Sequence, residues 1–268
     1  MDFRPIGIYD SGIGGLTGLK ALQRLLPGED IIYFGDSGRM PYGPRPKDEL
    51  CRIARQDLDF LAGFDVKANL AACGTSSSTA KAVLESYPIP TFGVLKPALD
   101  AMAALPGDAP LAIIATAASI ESGAFTETLR RRCPGREIIG VACPEFAPMI
   151  EAGHIAPDDP AVRDSVARTL APLRGREFAG LLLGCTHYGI IAETIREYLG
   201  DVKLLSASEC AAAAVRDYLA ENGHLSGKSS GGAARFYVSG DTARFEAFAS
   251  EYLEIGPVHA EQTEIMEI

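Results

Sequence analysis

Residues 181–188 read Leu-Leu-Leu-Gly-Cys-Thr-His-Tyr. An unbroken apolar run that stops at a glycine reads as a strand buried on both faces, the kind found in parallel sheets covered by helices. A thiol, Cys185, and an imidazole, His187, follow at once. Residues 68–76, ANLAACGTS, repeat the design: a mostly apolar run, then Cys73, then Gly74, Thr75 and Ser76. In open α/β sheets ligands bind beyond the carboxyl ends of the strands. Both cysteines therefore stand where chemistry is expected, and the reading turns on whether they serve one site.

Working outward, short apolar runs alternate with helical patterns along the whole chain. The strands are expected at Ile6–Tyr9, Ile31–Phe34, Ala68–Ala72, Thr91–Val94, Leu111–Ala115, Ile138–Ala142, Gly180–Leu183, Lys203–Leu205 and Phe236–Ser239. Helical periodicity fills most of the gaps, as over Gly15–Leu26, Lys47–Ala62, Ser77–Ser86, Gly123–Arg132, Pro148–Ala152 and Thr242–Leu253. Alternation of this kind predicts an α/β fold with mostly parallel sheets flanked by helices. The order strand, polar loop, helix, strand, loop, helix, strand, cysteine occurs twice. Asp10-Ser11 and Cys73 mark the first copy; Thr116, Ser119 and Cys185 mark the second. Two pseudo-symmetric domains are expected, residues 1–97 with 206–268, carrying Asp10 and Cys73, and residues 98–205, carrying Cys185 and His187. The active site is expected in the interdomain cleft. Ser226–Gly232 (SGKSSGG) reads as an exposed, mobile loop; the strand and helix after it are expected to extend the first domain, with Asp241 as a helix N-cap.

Composition narrows the class. The 268 residues are 47% apolar and carry a formal charge of −10, which argues against a general nucleic-acid or anionic-membrane binder. No apolar run approaches the ~18 residues of a membrane span, and the opening MDFRP leads straight into a strand with no signal-like segment. A cytoplasmic protein is expected. Its six cysteines, at 51, 73, 133, 143, 185 and 210, lack zinc or dithiol spacing and read as free thiols. Cys51, Cys133 and Cys210 read as structural, and Cys143 stands at a strand end. His154, His224 and His259 lack ligand spacing, so no metal site is expected. Asp158-Asp159 before Pro160 reads as a turn and helix cap.

Asp10-Ser11-Gly12-Ile13-Gly14-Gly15 links a strand to a helix, and its glycines let backbone N–H groups turn inward toward an anion. It is neither a dinucleotide fingerprint nor a P-loop. Beside that nest, Asp10 reads as a proton-handling group. Cys73 opens a helix, a position expected to favour its thiolate over an ordinary thiol. Two matched thiols suit removal of a proton from carbon on one face and its return on the other, with inversion. A Cys–His protease needs only one such nucleophile.

The stretches IGIYDSGIGGLTGLKAL, IIYFGDSGRMPYGPR, AACGTSSS, IPTFGV, ATAASIESGAF, CPEFAPMIEAG, LLLGCTHYGII and FYVSGD together resemble the glutamate racemases, of the cofactor-independent aspartate/glutamate racemase superfamily. The resemblance implies a two-base mechanism without pyridoxal phosphate, in which Cys73 takes the α-proton of D-glutamate and Cys185 that of L-glutamate. It implies that Asp10 assists Cys73, and that His187 and Glu151 assist Cys185. It lines the pocket with Ser11, Pro41, Tyr42, Gly43, Gly74, Thr75, Thr116, Ser119 and Thr186. It implies an amino-acid substrate, D-glutamate for peptidoglycan synthesis and no cofactor, with no direct nucleic-acid or membrane partner and a homodimer left open. The chain departs from the family where Asn usually follows the first cysteine; here it is Gly74, a lost hydrogen-bond partner worth about 1–3 kcal/mol. Gly189 replaces the usual Pro after GCTHY, and Ser119 and Phe125 stand where Thr and Tyr are common. A superfamily racemase for aspartate or a hydantoin is the alternative, as is a low-turnover relative with a regulatory role, since some glutamate racemases inhibit DNA gyrase.

Overall fold

Strands apolar at every position must be covered on both faces, and the computed structural model, which describes residues 1–254 and 257–265, meets that demand twice. Residues 255, 256 and 266–268 of the expected first domain lie outside the described residues. In chain order the elements are β1 (Ile6–Asp10), α1 (Leu16–Leu25), β2 (Ile31–Gly35), α2 (Lys47–Ala62), β3 (Ala68–Ala71), α3 (Gly74–Thr79), α4 (Lys81–Ser86), β4 (Thr91–Gly93), α5 (Leu95–Ala103), β5 (Leu111–Ala115), α6 (Ala117–Glu121), α7 (Thr126–Arg132), β6 (Ile138–Ala142), α8 (Phe146–Glu151), α9 (Pro160–Leu170), β7 (Gly180–Leu183), α10 (Ala192–Leu199), β8 (Leu204–Ser206), α11 (Ala207–Glu221), β9 (Ala234–Val238), α12 (Thr242–Leu253) and β10 (Ala260–Gln262). The chain divides into Met1–Val94 with the segment from Ala211 onward, and Leu95–Cys210. The first division precedes 97 because α5 packs on β7, β8 and α7 of the second unit, and the second falls inside α11 rather than at 205.

The first unit holds a six-stranded sheet in the order β10-β9-β2-β1-β3-β4, and the second a four-stranded sheet in the order β6-β5-β7-β8. The described pairings are all parallel. Core strands match one to one: β2-β1-β3-β4 and β6-β5-β7-β8 have the same order. Asp36 N–H bonds to Asp10 carbonyl at 2.8 Å, and Cys143 N–H bonds to Ala115 carbonyl at 2.8 Å. The match thus makes Ser11 the equivalent of Thr116, and Cys73 the equivalent of Cys185, each within its own sheet.

Three elements differ from expectation for local reasons. The helix expected over Ser77–Ser86 is two helices broken at Ala80. Ser77 Oγ donates to Ala71 carbonyl at 3.1 Å and Ser78 Oγ to Thr75 carbonyl at 3.1 Å, the local side-chain bonding by which serine competes with helix continuity. The short helix α6 is capped by Thr116, whose Oγ1 accepts the Ser119 N–H at 3.4 Å. Finally, Ser226–Gly232 is anchored rather than free. Ser226 is buried, its N–H donates to Glu29 at 2.7 Å and its hydroxyl to Gly28 carbonyl at 2.9 Å. The loop presses so closely on the first unit that a Cβ at Gly28 would lie 1.9 Å from Lys228 carbonyl oxygen. The serines, read as linker composition, here supply hydrogen bonds. Asp159 and Asp241 cap α9 and α12, accepting from Ala161 N–H at 2.8 Å and Arg244 N–H at 3.2 Å.

Candidate active site

In the first unit, β1 ends in Asp10, fully buried. The turn after it bends back so that Gly12 N–H donates to Asp10 Oδ2 at 3.1 Å, while Tyr33 hydroxyl donates to Gly12 carbonyl at 2.8 Å. One N–H of the expected anion nest is thus taken by the carboxylate itself. Gly15 is required there, since a Cβ would sit 2.5 Å from Asp10 Cβ and 2.8 Å from Tyr33 hydroxyl. Cys73 follows β3 and is 5% exposed; its Sγ donates to Ser11 Oγ at 3.7 Å. The expectation of a favoured thiolate fails in this state. Burial first, and then the charge of Asp10, push the Cys73 thiol up to about 12 against the hydrogen bonds offered by Ser76 and Ser11. The helix it opens, α3, has only six residues, so its terminus does little to offset desolvation. Gly74 and Thr75 are half-buried.

In the second unit, β7 leads through Gly184 to Cys185, which is half-buried, and to a single 3-10 turn over Thr186–Gly189 that buries Thr186 and His187. His187 Nδ1 lies 3.7 Å from Cys185 Sγ, and Nε2 lies 2.7 Å from Oε1 of Glu151, the last residue of α8. Burial disfavours charge on His187, but the hydrogen bonds to Cys185 and Glu151 win and raise its pKa well above the ordinary value of 6.5. The raised value favours the protonated ring, in which Nδ1 faces the sulfur and Nε2 the Glu151 carboxylate. Its stabilising contribution is present below 6.5 and is lost as pH climbs through the raised folded value. Glu151→Gln removes the carboxylate that favours the cation, so the His187 ring is expected to titrate at lower pH than in the wild type. NMR of the labelled imidazole reads that shift directly, and an unchanged titration would show that Cys185 alone sustains it.

Thr116 Oγ1 donates to Ser119 Oγ at 2.9 Å, so these two expected pocket residues are also bonded to each other. Cys143 is buried beneath the same sheet edge; burial and the nearby Cys185 push its thiol up to about 12. Tyr188 hydroxyl donates to Cys143 carbonyl at 2.8 Å.

The sequence reading missed the cluster around the Pro41-Tyr42-Gly43 loop. Pro41 and Gly43 are exposed, but Tyr42 is 3% exposed and its hydroxyl is turned inward. It donates to Asp36 Oδ2 and, at 3.1 Å, to Asp57 Oδ2. Arg39 spans both acids, with Nε 2.7 Å from Asp36 and Nη2 2.6 Å from Asp57, and Nη1 donates to Gln56 at 2.6 Å. Burial, and then Asp36, raise the Asp57 carboxyl well above the carboxylate range, with Arg39 and Tyr42 opposing. The signal was present in sequence as Asp57, an acid at a buried-face position of α2, where charge is admitted only with a partner. A cavity of about 680 Å³ opens beside Arg39, Arg45 and Arg52, and Asp10 and Cys73 do not line it.

A family model described as Asp/Glu/Hydantoin racemase matches residues 21–215. A glutamate racemase of Thermoanaerobacter sp. (strain X514) is 38% identical over 246 residues, 91% of each chain. One from Lactococcus lactis subsp. lactis is 36% identical, with 99% of this chain and 97% of the relative covered. Among solved structures, the glutamate racemase of Francisella tularensis in complex with D-glutamate superposes with a TM-score of 0.86 at 36% identity. The Bacillus anthracis glutamate racemase isoform RacE1 does so with a TM-score of 0.90 at 30% identity, and each alignment covers 99% of both chains. No helix among the described residues is long and apolar enough to cross a membrane. With its repeated strand order, its two strand-end cysteines and relatives matched over nearly their whole length, this chain belongs to the Asp/Glu/hydantoin racemase family.

Proposed function

We propose that the chain interconverts L- and D-glutamate by direct proton transfer at the α-carbon, one thiol of each unit acting on the same carbon. The observation that carries this is the equivalence of Cys73 and Cys185, which follow matching strands of two sheets with one strand order. By the family resemblance, a Cys73 thiolate removes the α-proton of D-glutamate and the Cys185 thiol protonates the opposite face; the reverse direction exchanges the roles. One C–H bond breaks and one forms, the thiolate gains a proton and the thiol gives one up, and no cofactor enters.

The local chemistry supports that division. The His187 imidazolium supplies positive charge 3.7 Å from Cys185 and is held by Glu151, which suits a sulfur that must carry negative charge after donating. Cys73 rests as a thiol pushed up to about 12, so Asp10, buried at the end of β1, assists by accepting proton density when substrate arrives. Ser11, Pro41, Tyr42, Gly43, Gly74, Thr75, Thr116, Ser119 and Thr186 hold the substrate. Neutralising its charge and holding it close is where most of the rate comes from. In this reading the protein works in the cytoplasm and its D-glutamate supplies peptidoglycan synthesis.

The test is α-proton exchange in heavy water, followed by NMR without added cofactor, on each enantiomer of glutamate and aspartate and on a hydantoin. Exchange with inversion of glutamate alone is the expected result. Inversion of another substrate in preference to glutamate would overturn the substrate assignment and point to the missing side chain at Gly74.

A further inference from the structure

Two buried acids share one guanidinium beneath the Tyr42 loop, and the two-thiol chemistry uses none of the three. Asp36 and Asp57 are both fully buried. Each touches Arg39, and each accepts from the Tyr42 hydroxyl. Asp36 is further fixed by Ser239 hydroxyl, which donates to Oδ1 at 2.7 Å and itself accepts Gly38 N–H at 2.9 Å. Asp57 comes from the middle of α2, Asp36 and Arg39 from the loop after β2, and Ser239 from the loop after β9. The Tyr42 hydroxyl is thus fixed by three separate parts of the first unit.

Below its hydroxyl, the ring of Tyr42 belongs to one packed cluster with Leu50, Ile53 and Cys73. A phenol held at its oxygen by two carboxyl groups has little freedom at its ring, and the ring is part of the wall against which the Cys73 thiol sits. The hydroxyl stays protonated, because burial and then the two aspartates push its ionisation well above the ordinary tyrosine range, so its one proton is shared between Asp36, the closer partner, and Asp57 at 3.1 Å. Buried charge of this kind is a poor device for stability alone; its geometry suits orientation.

We propose that Asp57, with Arg39 and Asp36, is a positioning residue for proton transfer at Cys73, acting through the Tyr42 hydroxyl. The proposal rests on the reading of Cys73 as one of the two bases. Loosening the phenol leaves both thiols in place but slows the Cys73 transfer relative to that at Cys185.

The experiment compares Tyr42→Phe and Asp57→Asn with wild type and Cys73→Ser, using α-protonated and α-deuterated D- and L-glutamate. A misplacement of the order of an ångström slows such a transfer up to about a hundredfold, and the expected loss in kcat/KM is about tenfold, equal in both directions. The isotope effects separate positioning from general damage. With the Cys73 step limiting, the deuterium effect on kcat/KM rises toward its full value from D-glutamate, whose deuteron Cys73 removes. From L-glutamate it falls toward the equilibrium isotope effect of moving the deuteron from carbon to sulfur, because the Cys185 step then equilibrates before the slow one. A smaller population of folded enzyme lowers the rate but moves neither effect. Opposite shifts in Tyr42→Phe support the proposal, and Asp57→Asn, where it folds by circular dichroism, is expected to reproduce them. Unchanged isotope effects in a folded Tyr42→Phe, with Cys73→Ser inactive, overturn the proposal and leave the two-base reading standing. Wild-type racemisation by Cys73→Ser overturns both.

Discussion

Cys185→Ala is expected to lower racemisation of glutamate by about 10²–10⁴-fold, the range over which a positioned acid–base group contributes, while the second unit keeps its fold. Cys185 is half-buried at the mouth of a 3-10 turn whose other contacts do not need the sulfur. The His187–Glu151 pair at 2.7 Å and the Tyr188 hydroxyl bond to Cys143 carbonyl at 2.8 Å both survive the change. Cys73→Ala is expected to lose as much activity and, from a tighter site, about 1 kcal/mol of stability, since its sulfur is packed with Tyr42, Leu50 and Ile53. The two variants differ in what remains. Cys73→Ala keeps the thiol assigned to L-glutamate, so in heavy water it is expected to exchange the α-proton of L-glutamate without making the D-enantiomer. Cys185→Ala should exchange only D-glutamate. NMR of the α-proton, with chiral analysis of the product, reads both. Continued racemisation by either variant at the wild-type rate would end the two-base mechanism, and exchange of the wrong enantiomer would reverse the assignment of the thiols.

What was legible in the sequence was whatever has a period or a terminus. Mostly apolar runs placed the strands within one or two residues, because a strand covered on both faces admits few polar side chains. The edge strand β10, Ala260–Gln262, escaped: it pairs on one side only, with β9, and its Glu261 and Gln262 are exposed. The two strand-end cysteines were legible because they follow such runs directly, and His187 because it lies two positions from one of them. Glu151 came only with the family resemblance, for it reaches His187 from α8 across 36 residues of sequence. Asp36, Arg39 and Asp57 were not read at all. Their meaning lies in convergence on one hydroxyl; the period of α2 sets Asp57 on the face of Leu50, Ile53 and Leu61 and Asp59 off it, but does not say which partners Asp57 meets there. The ionisation of Cys73 was misread for a related reason. A strand–helix junction announces a helix terminus, but not the depth of burial or the neighbouring Asp10 that outweigh it.

Lys67→Ala is expected to destabilise the first unit by about 3–5 kcal/mol, the cost of stranding a buried charge. Lys67 immediately precedes β3, and its ammonium has no exposed side-chain surface; Glu29 has 3%. The Nζ lies 2.5 Å from Glu29 Oε2 and donates to the carbonyls of Asp2 and His224 at 2.8 and 2.9 Å. Glu29 Oε1 in turn accepts Ser226 N–H at 2.7 Å. One ion pair therefore ties the start of the chain and the 224–226 segment to the amino end of the sheet. Removing the lysine leaves a buried carboxylate and two carbonyls short of a donor. Replacing the pair together, as Lys67→Met with Glu29→Leu, removes both charges and leaves only the backbone groups unpaired, at about 1–3 kcal/mol each. The double variant is thus expected to be more stable than its charges suggest, and less damaged than the sum of the single changes. Urea unfolding of Lys67→Met, Glu29→Leu and the double closes that cycle, with Lys67→Ala measured alongside, and strict additivity would show that water reaches Glu29 once the lysine is gone. Racemisation by the folded fraction should be unaffected, because Lys67 stands at one end of β3 and Cys73 at the other. A fall in kcat per folded molecule would mean that the strand transmits what happens at its amino end to the thiol at its carboxyl end.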